Sequence, residues 1–210
     1  MDFFLILAFV GTLILLTNAI LYSFKIKGKS PAYRNFTAFL ILVALVELSS
    51  LFVAKVLHQN NLFLSHFYFL FQFVVLSLFY AELLKSTWVK LIVIPVLAMV
   101  AYQFVIDPEL FFRYNSIGAS VMQSIIIIYS LIFFYRSISG TSEFLIVNIG
   151  IFLYLLSSAL IFVSGNVVLD LDISEDTRFL LINVNRVLIL VFQILIFVEW
   201  RKNYFRKKPS

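Results

Sequence analysis

Glu47 and Arg186 each lie near the middle of a long apolar run, where a charged side chain is costly unless it meets a partner, a ligand or water. Counted from opposite ends of their runs at about 1.5 Å per residue, the two reach depths that agree within roughly one helical turn. They are expected to interact, directly or through one bridging polar group, if the second and seventh runs are neighbours in a closed ring of seven helices. Such a pair either fixes the packing or forms part of a binding or switching site.

Amides and hydroxyls follow a helical rhythm around these two charges. Asn183 and Gln193 share a broad sector with Arg186, being separated from it and from each other by three, seven and ten residues, whereas Asn185 falls outside it. Ser65, Tyr68 and Gln72 form a stripe on the third run, and Ser116, Ser120 and Gln123 form another on the fifth. Polar stripes gain nothing from lipid and are expected to face the bundle interior, as interhelical hydrogen bonds or as the wall of an outward-opening cavity. The candidate site is therefore Glu47, Arg186, Asn183, Gln193, Gln72, Tyr68 and Gln123, read as a ligand-binding or buried polar network with no catalytic assignment.

Metal and cofactor chemistry find little support. Lys55, His58 and His66 lie towards the outer ends of the second and third runs, and the two histidines lack a metal-ligand spacing. A boundary role is expected for them, with Lys55 snorkelling or pairing with the acidic stretch from Asp170 to Asp176. The absence of cysteine excludes disulfides, thiolate ligands and cysteine nucleophiles. No Gly-x-Ser-x-Gly elbow is present, and the seventh run holds no lysine for a retinal Schiff base of the microbial-rhodopsin kind. No metal and no cofactor are expected.

The elements that must position these groups are seven apolar stretches near Phe3–Phe24, Phe36–Leu57, Leu62–Leu84, Trp88–Ile106, Tyr114–Tyr135, Phe144–Val168 and Phe179–Trp200. Each is long enough to cross a hydrocarbon core of about 30 Å as a helix. With 62% hydrophobic and 13% charged residues and a mean hydropathy of +1.04, the chain departs strongly from a soluble domain. The expected fold is an all-α membrane protein, a seven transmembrane helix bundle in which residues 1–200 form a single domain and 201–210 a short basic tail. The start, Met1-Asp2-Phe3-Phe4, lacks the basic region of a signal peptide, so the first run is expected to be retained.

Charge sets the expected orientation. Lys25, Lys27, Lys29 and Arg34, then Lys85 and Lys90, then Arg136, then the tail from Arg201 to Lys208 place 12 of the 16 basic residues on one side. The other side carries Asp2, Asp107, Glu109, Asp170, Asp172, Glu175 and Asp176, with Arg113 and Arg178 in its loops. The positive-inside bias then predicts an outer N-terminus, a cytoplasmic C-terminus and an odd number of spans, with Trp88, Trp200, Tyr80 and Tyr135 as anchors at the inner boundary. The net charge of +5 is spread over helix ends, so it is read as orienting the chain in the lipid bilayer and not as a nucleic-acid surface, while the tail from Arg201 to Lys208 could also touch anionic lipid headgroups.

No internal repeat emerges, and only Pro95 and a few glycines interrupt the runs, which weakens a transporter built on broken helices. The segment from Asn61-Leu62-Phe63-Leu64-Ser65-His66-Phe67-Tyr68 through Gln72-Phe73 to Leu76-Ser77-Leu78-Phe79-Tyr80 resembles small bacterial seven-helix integral membrane proteins of unknown function. In their pattern a glutamate follows the aromatic by four residues, where this chain has Gln72 after Tyr68. The resemblance implies a bacterial cytoplasmic (inner) membrane and no activity. Three function classes follow. The favoured one is a non-enzymatic sensor or receptor-like module with a possible small-molecule ligand, acting through a separate signalling protein. The alternatives are a small-solute transporter using the Glu/Arg pair and, less favoured, a lipid-modifying membrane enzyme.

Overall fold

The computed structural model describes residues 3–24, 26–138, 142–170 and 175–205, with side chains for 6–24, 26–138, 142–159 and 180–205. The described residues form seven α-helices: α1 (Phe3–Phe24), α2 (Pro31–Lys55), α3 (Leu64–Leu83), α4 (Trp88–Ile106), α5 (Ser116–Ser137), α6 (Leu145–Asp170) and α7 (Glu175–Trp200). A 3-10 turn, Pro108–Phe112, links α4 to α5, and a π turn, Arg201–Phe205, continues α7. Among the described residues, six helical stretches are long and apolar enough to cross a membrane: Ile6–Phe24, Pro31–Lys55, Leu64–Leu83, Trp88–Ile106, Ser116–Ser137 and Leu180–Phe205. In α6 the described apolar stretch is shorter, Leu145–Ala159. Large apolar residues such as Phe9, Leu45, Ile94 and Val191 are exposed on the outer faces, the distribution expected where the surrounding solvent is hydrocarbon.

Local chemistry decides where helices begin. Helix α2 starts five residues before the predicted Phe36, because the Ser30 hydroxyl accepts the Tyr33 amide at 3.2 Å and Pro31 occupies the first turn, where its missing N–H costs nothing. The Asn115 side chain does the same for α5, accepting the Gly118 amide at 2.8 Å.

Six helices close a ring in which α1 packs on α2, α2 on α3, α3 on α5, α5 on α6, α6 on α7 and α7 on α1. Helix α4 stands outside the ring against α3, touching α5 only slightly, and buries only Val89, Val96 and Val100. The expected closed ring of seven is thus a ring of six with one attached helix. Pro95, which removes a helix hydrogen bond, sits on the attached helix.

The end of the bundle that carries Arg34, Lys90 and Arg136 is closed by aromatic packing. Tyr22, Tyr33, Phe36, Phe79 and Phe144 are fully buried, and Tyr204 stands edge-on to Tyr33 at 4.8 Å between ring centroids. Lys29 Nζ lies 4.8 Å from the centre of the Tyr204 ring, a cation–π contact that ties the first loop to the end of α7. Trp88 and Tyr135 are exposed there, as boundary anchors should be. Tyr80 and Trp200 are buried instead, Tyr80 donating to Asn148 Oδ1 at 2.6 Å, so these two rings serve the core.

Candidate functional site

At the opposite end of the ring, where α1, α3 and α7 begin, the helices leave a cavity of about 350 Å³. Helix α1 contributes Gly11, Thr12 and Leu15, and α2 contributes Val43, Glu47 and Lys55. Tyr68 comes from α3, Tyr154 from α6, and Arg186, Ile189, Phe192 and Gln193 from α7. Of the seven residues expected to form a site, Glu47, Tyr68, Arg186 and Gln193 line this one space.

Each charge is held by its own neighbour. Thr12 Oγ1 lies 3.2 Å from Glu47 Oε1 and 3.2 Å from the Ala8 carbonyl oxygen, so its single proton serves one acceptor at a time. Arg186 donates from Nη1 to Asn183 Oδ1 at 3.0 Å, which places Asn183 behind the guanidinium as its support. Ion pairs among the described residues are Lys90–Glu82 at 2.8 Å and Arg113–Asp107 at 2.7 Å, both outside the cavity. Glu47 and Arg186 do not approach within 4.0 Å of each other, because α1 packs between α2 and α7 and the cavity separates the two heads.

Behind the charges runs a chain of hydroxyls and amides. Gln72 Nε2 donates to Tyr68 Oη at 3.2 Å, and the Tyr68 and Tyr154 hydroxyls share a hydrogen bond at 3.1 Å. The Tyr154 ring stacks on Phe192 at 5.4 Å with only 8° between planes, forming a flat aromatic wall. Gln193 is buried and accepts from Asn18 Nδ2 at 3.0 Å through its side chain and at 2.9 Å through its main-chain carbonyl. Asn185 turns towards α6, where Ser158 Oγ lies 3.4 Å from its Oδ1. Gln123 is buried on α5, away from the cavity, and its amide has no hydrogen-bond partner among the described residues.

A second cavity of about 280 Å³ lies between α2 and α3 and shares Glu47 and Tyr68 with the first. Ser50, Asn61, Ser65 and Tyr114 complete its polar lining. His66 is structural: it is buried, its Nε2 lies 3.1 Å from the Phe111 carbonyl oxygen, and its ring meets Phe104 edge-on. His58 is exposed in the loop between α2 and α3, with a positive φ of 52°. No group of three or more metal-ligating side chains occurs among the described residues. Lys55 lines the first cavity, while its expected acidic partners, Asp170 to Asp176, lie outside the described side chains.

Sequence reasoning missed Thr12, Asn18, Tyr154 and Glu199. Asn18 carried a usable signal, as the one amide in the first apolar run. Glu199, in the last turn of α7, is buried, accepting the Phe144 and Ile146 amides at 3.0 and 2.9 Å and a further hydrogen bond from Asn203. It caps the start of α6 from across the helix interface. Tyr204 likewise donates to Glu143 at 2.6 Å, so the three carboxylates at the basic end, with Glu82, are all engaged locally.

Comparison of the chain with family models, curated proteins and solved structures finds no match. What fold and composition define is an all-α, multi-helix apolar membrane protein with a polar cavity among its helices.

Proposed function

We propose that the protein is a seven-span receptor-like module of a bacterial cytoplasmic membrane that binds a small polar molecule in the α1–α2–α3–α6–α7 cavity. It passes occupancy to a separate partner protein and carries out no chemistry itself. The observation that carries this reading is the lining: a carboxylate and a guanidinium face one space, each steadied by a neighbouring hydroxyl or amide rather than neutralised by the other. A pair kept only for packing would sit in contact, since two separated charges in a low dielectric are costly without further partners. The distribution of Lys and Arg supports an outer N-terminus, which puts the cavity in the outer half of the bilayer.

A small-solute transporter is the second reading, favoured by one feature: Glu47 and Tyr68 stand in the wall shared by two cavities, where a carboxylate would serve as a gate. Purification in mild detergent followed by reconstitution separates the two. Co-purification of a stoichiometric regulator without solute uptake by proteoliposomes supports the receptor module. Solute uptake that disappears in Glu47→Gln, with no partner retained, supports transport and overturns it.

A further inference from the structure

We infer that the cavity ligand is a small zwitterion, carrying an ammonium group and a carboxylate or phosphate oxyanion on an apolar body. This rests on the binding-module reading above. The charged groups of the cavity are of both signs, with Glu47 on α2 and Arg186 on α7 reached from one space and Lys55 nearer its end. A simple anion entering there would answer Arg186 but confront the Glu47 carboxylate, whose described support is the single Thr12 hydroxyl. A simple cation would answer Glu47 and meet Arg186 and Lys55. A ligand bearing both charges satisfies the two walls together and leaves neither desolvated charge unpaired, which is where most of the discrimination in a polar site arises.

The guanidinium suits an oxyanion geometrically. Asn183, itself buried, holds Nη1, which fixes the plane of the fork and reduces the entropy lost when a carboxylate or phosphate docks against it. Glu47 is an acceptor-only group and suits an ammonium. Between the charges the walls are apolar, with Leu15, Phe39, Val43, Ile189 and the stacked Phe192 and Tyr154 rings, so a ligand with a hydrocarbon or aromatic body gains over a fully hydrated one. A space of about 350 Å³ is at the small end of the range of ligand sites, roughly 300–1,000 Å³, and fits a molecule of amino-acid size. Free apolar amino acids and the phosphoethanolamine headgroup of a phospholipid share this chemistry.

The chain has no cysteine, so a single introduced thiol reports on the cavity alone. Ile189→Cys in nanodiscs would be labelled with a water-soluble maleimide, with and without L-leucine, O-phosphoethanolamine, isoamylamine or 4-methylpentanoate. The inference expects leucine or O-phosphoethanolamine to slow labelling while the amine and the acid, each with one charge, do not. It also expects Glu47→Gln and Arg186→Gln, each added to Ile189→Cys, to weaken the protecting zwitterion by about tenfold or more. Protection by free leucine in phosphatidylglycerol discs assigns the ligand to the soluble pool. Protection that appears only when phosphatidylethanolamine replaces phosphatidylglycerol assigns it to the headgroup. Equal protection by the singly charged acid or amine overturns the zwitterion and leaves the binding module standing, as does ready labelling that none of the zwitterions slows. A thiol that never labels, in a protein whose folded yield equals that of the parent, removes the binding module as well.

Discussion

Individual side chains at the two ends of the bundle do different work, and their energetics separate accordingly. Glu199 is buried and accepts two main-chain amides at the start of α6 and the Asn203 amide. Its replacement by glutamine removes the charge and one of the acceptor oxygens. Charge-assisted hydrogen bonds of this kind contribute about 1.5–3 kcal/mol each, so Glu199→Gln is expected to lower the unfolding free energy in detergent by about 2 kcal/mol or more. Glu82→Gln breaks only the half-exposed pair with Lys90 and should cost less than about 1 kcal/mol in the same assay. Equal effects for the two variants would mean that Glu199 does not cap α6. At the cavity, Glu47 and Arg186 hold separate partners, so Glu47→Gln and Arg186→Gln should each be tolerated better than the breaking of a contact pair. Their double-mutant cycle in the absence of ligand should give a coupling below about 1 kcal/mol. A larger coupling would restore the direct pair that their matched depths in the sequence had suggested.

The helices were legible in the sequence because hydrophobic length is a strong signal, and the structure moves most of the described limits by only a few residues. The start of α2 was displaced because hydropathy ignores Ser30 and Pro31, whose capping geometry begins the helix in polar sequence. The gathering of Glu47, Tyr68, Arg186 and Gln193 was legible for the same reason that polar stripes are: none gains from facing lipid. The contributions of Thr12 and Tyr154 were not, since Thr and Tyr are common in apolar helices and only packing says which way they face. The displacement of α4 was equally hidden, because nothing in its composition distinguishes an attached helix from a ring member. Close approach of α6 and α7 depends on Gly150, where an added Cβ would come 2.7 Å from Phe192 Cδ2 and 3.3 Å from Leu195 Cδ1. Gly150→Ala is therefore expected to push Phe192 off its stack with Tyr154 and cost about 1–3 kcal/mol of overpacking, read as a lower thermal midpoint in nanodiscs. An unchanged midpoint would show that the two helices have room to spare.

For the molecule as a whole, the proposed topology joins the charge distribution to the cavity: an odd number of crossings with the basic ends in the cytoplasm would put the cavity in the outer leaflet. Reporter fusions after Arg34, Lys90, Arg136 and the C-terminus are expected to report the cytoplasm, and fusions after Asn60, Glu109 and Asp172 the outside. A cytoplasmic signal after Asp172 would break the seven-span arrangement. The central claim, that a water-accessible polar cavity sits within an apolar bundle, is tested most directly by thiol labelling of single cysteines in intact membrane. Thr12→Cys, Val43→Cys and Ile189→Cys line the cavity, whereas Leu45→Cys, Ile94→Cys and Val191→Cys lie on exposed apolar faces. The account predicts that a small water-soluble reagent modifies the first three severalfold faster than the last three. Uniformly unreactive thiols, or faster reaction on the lipid-facing set, would contradict it.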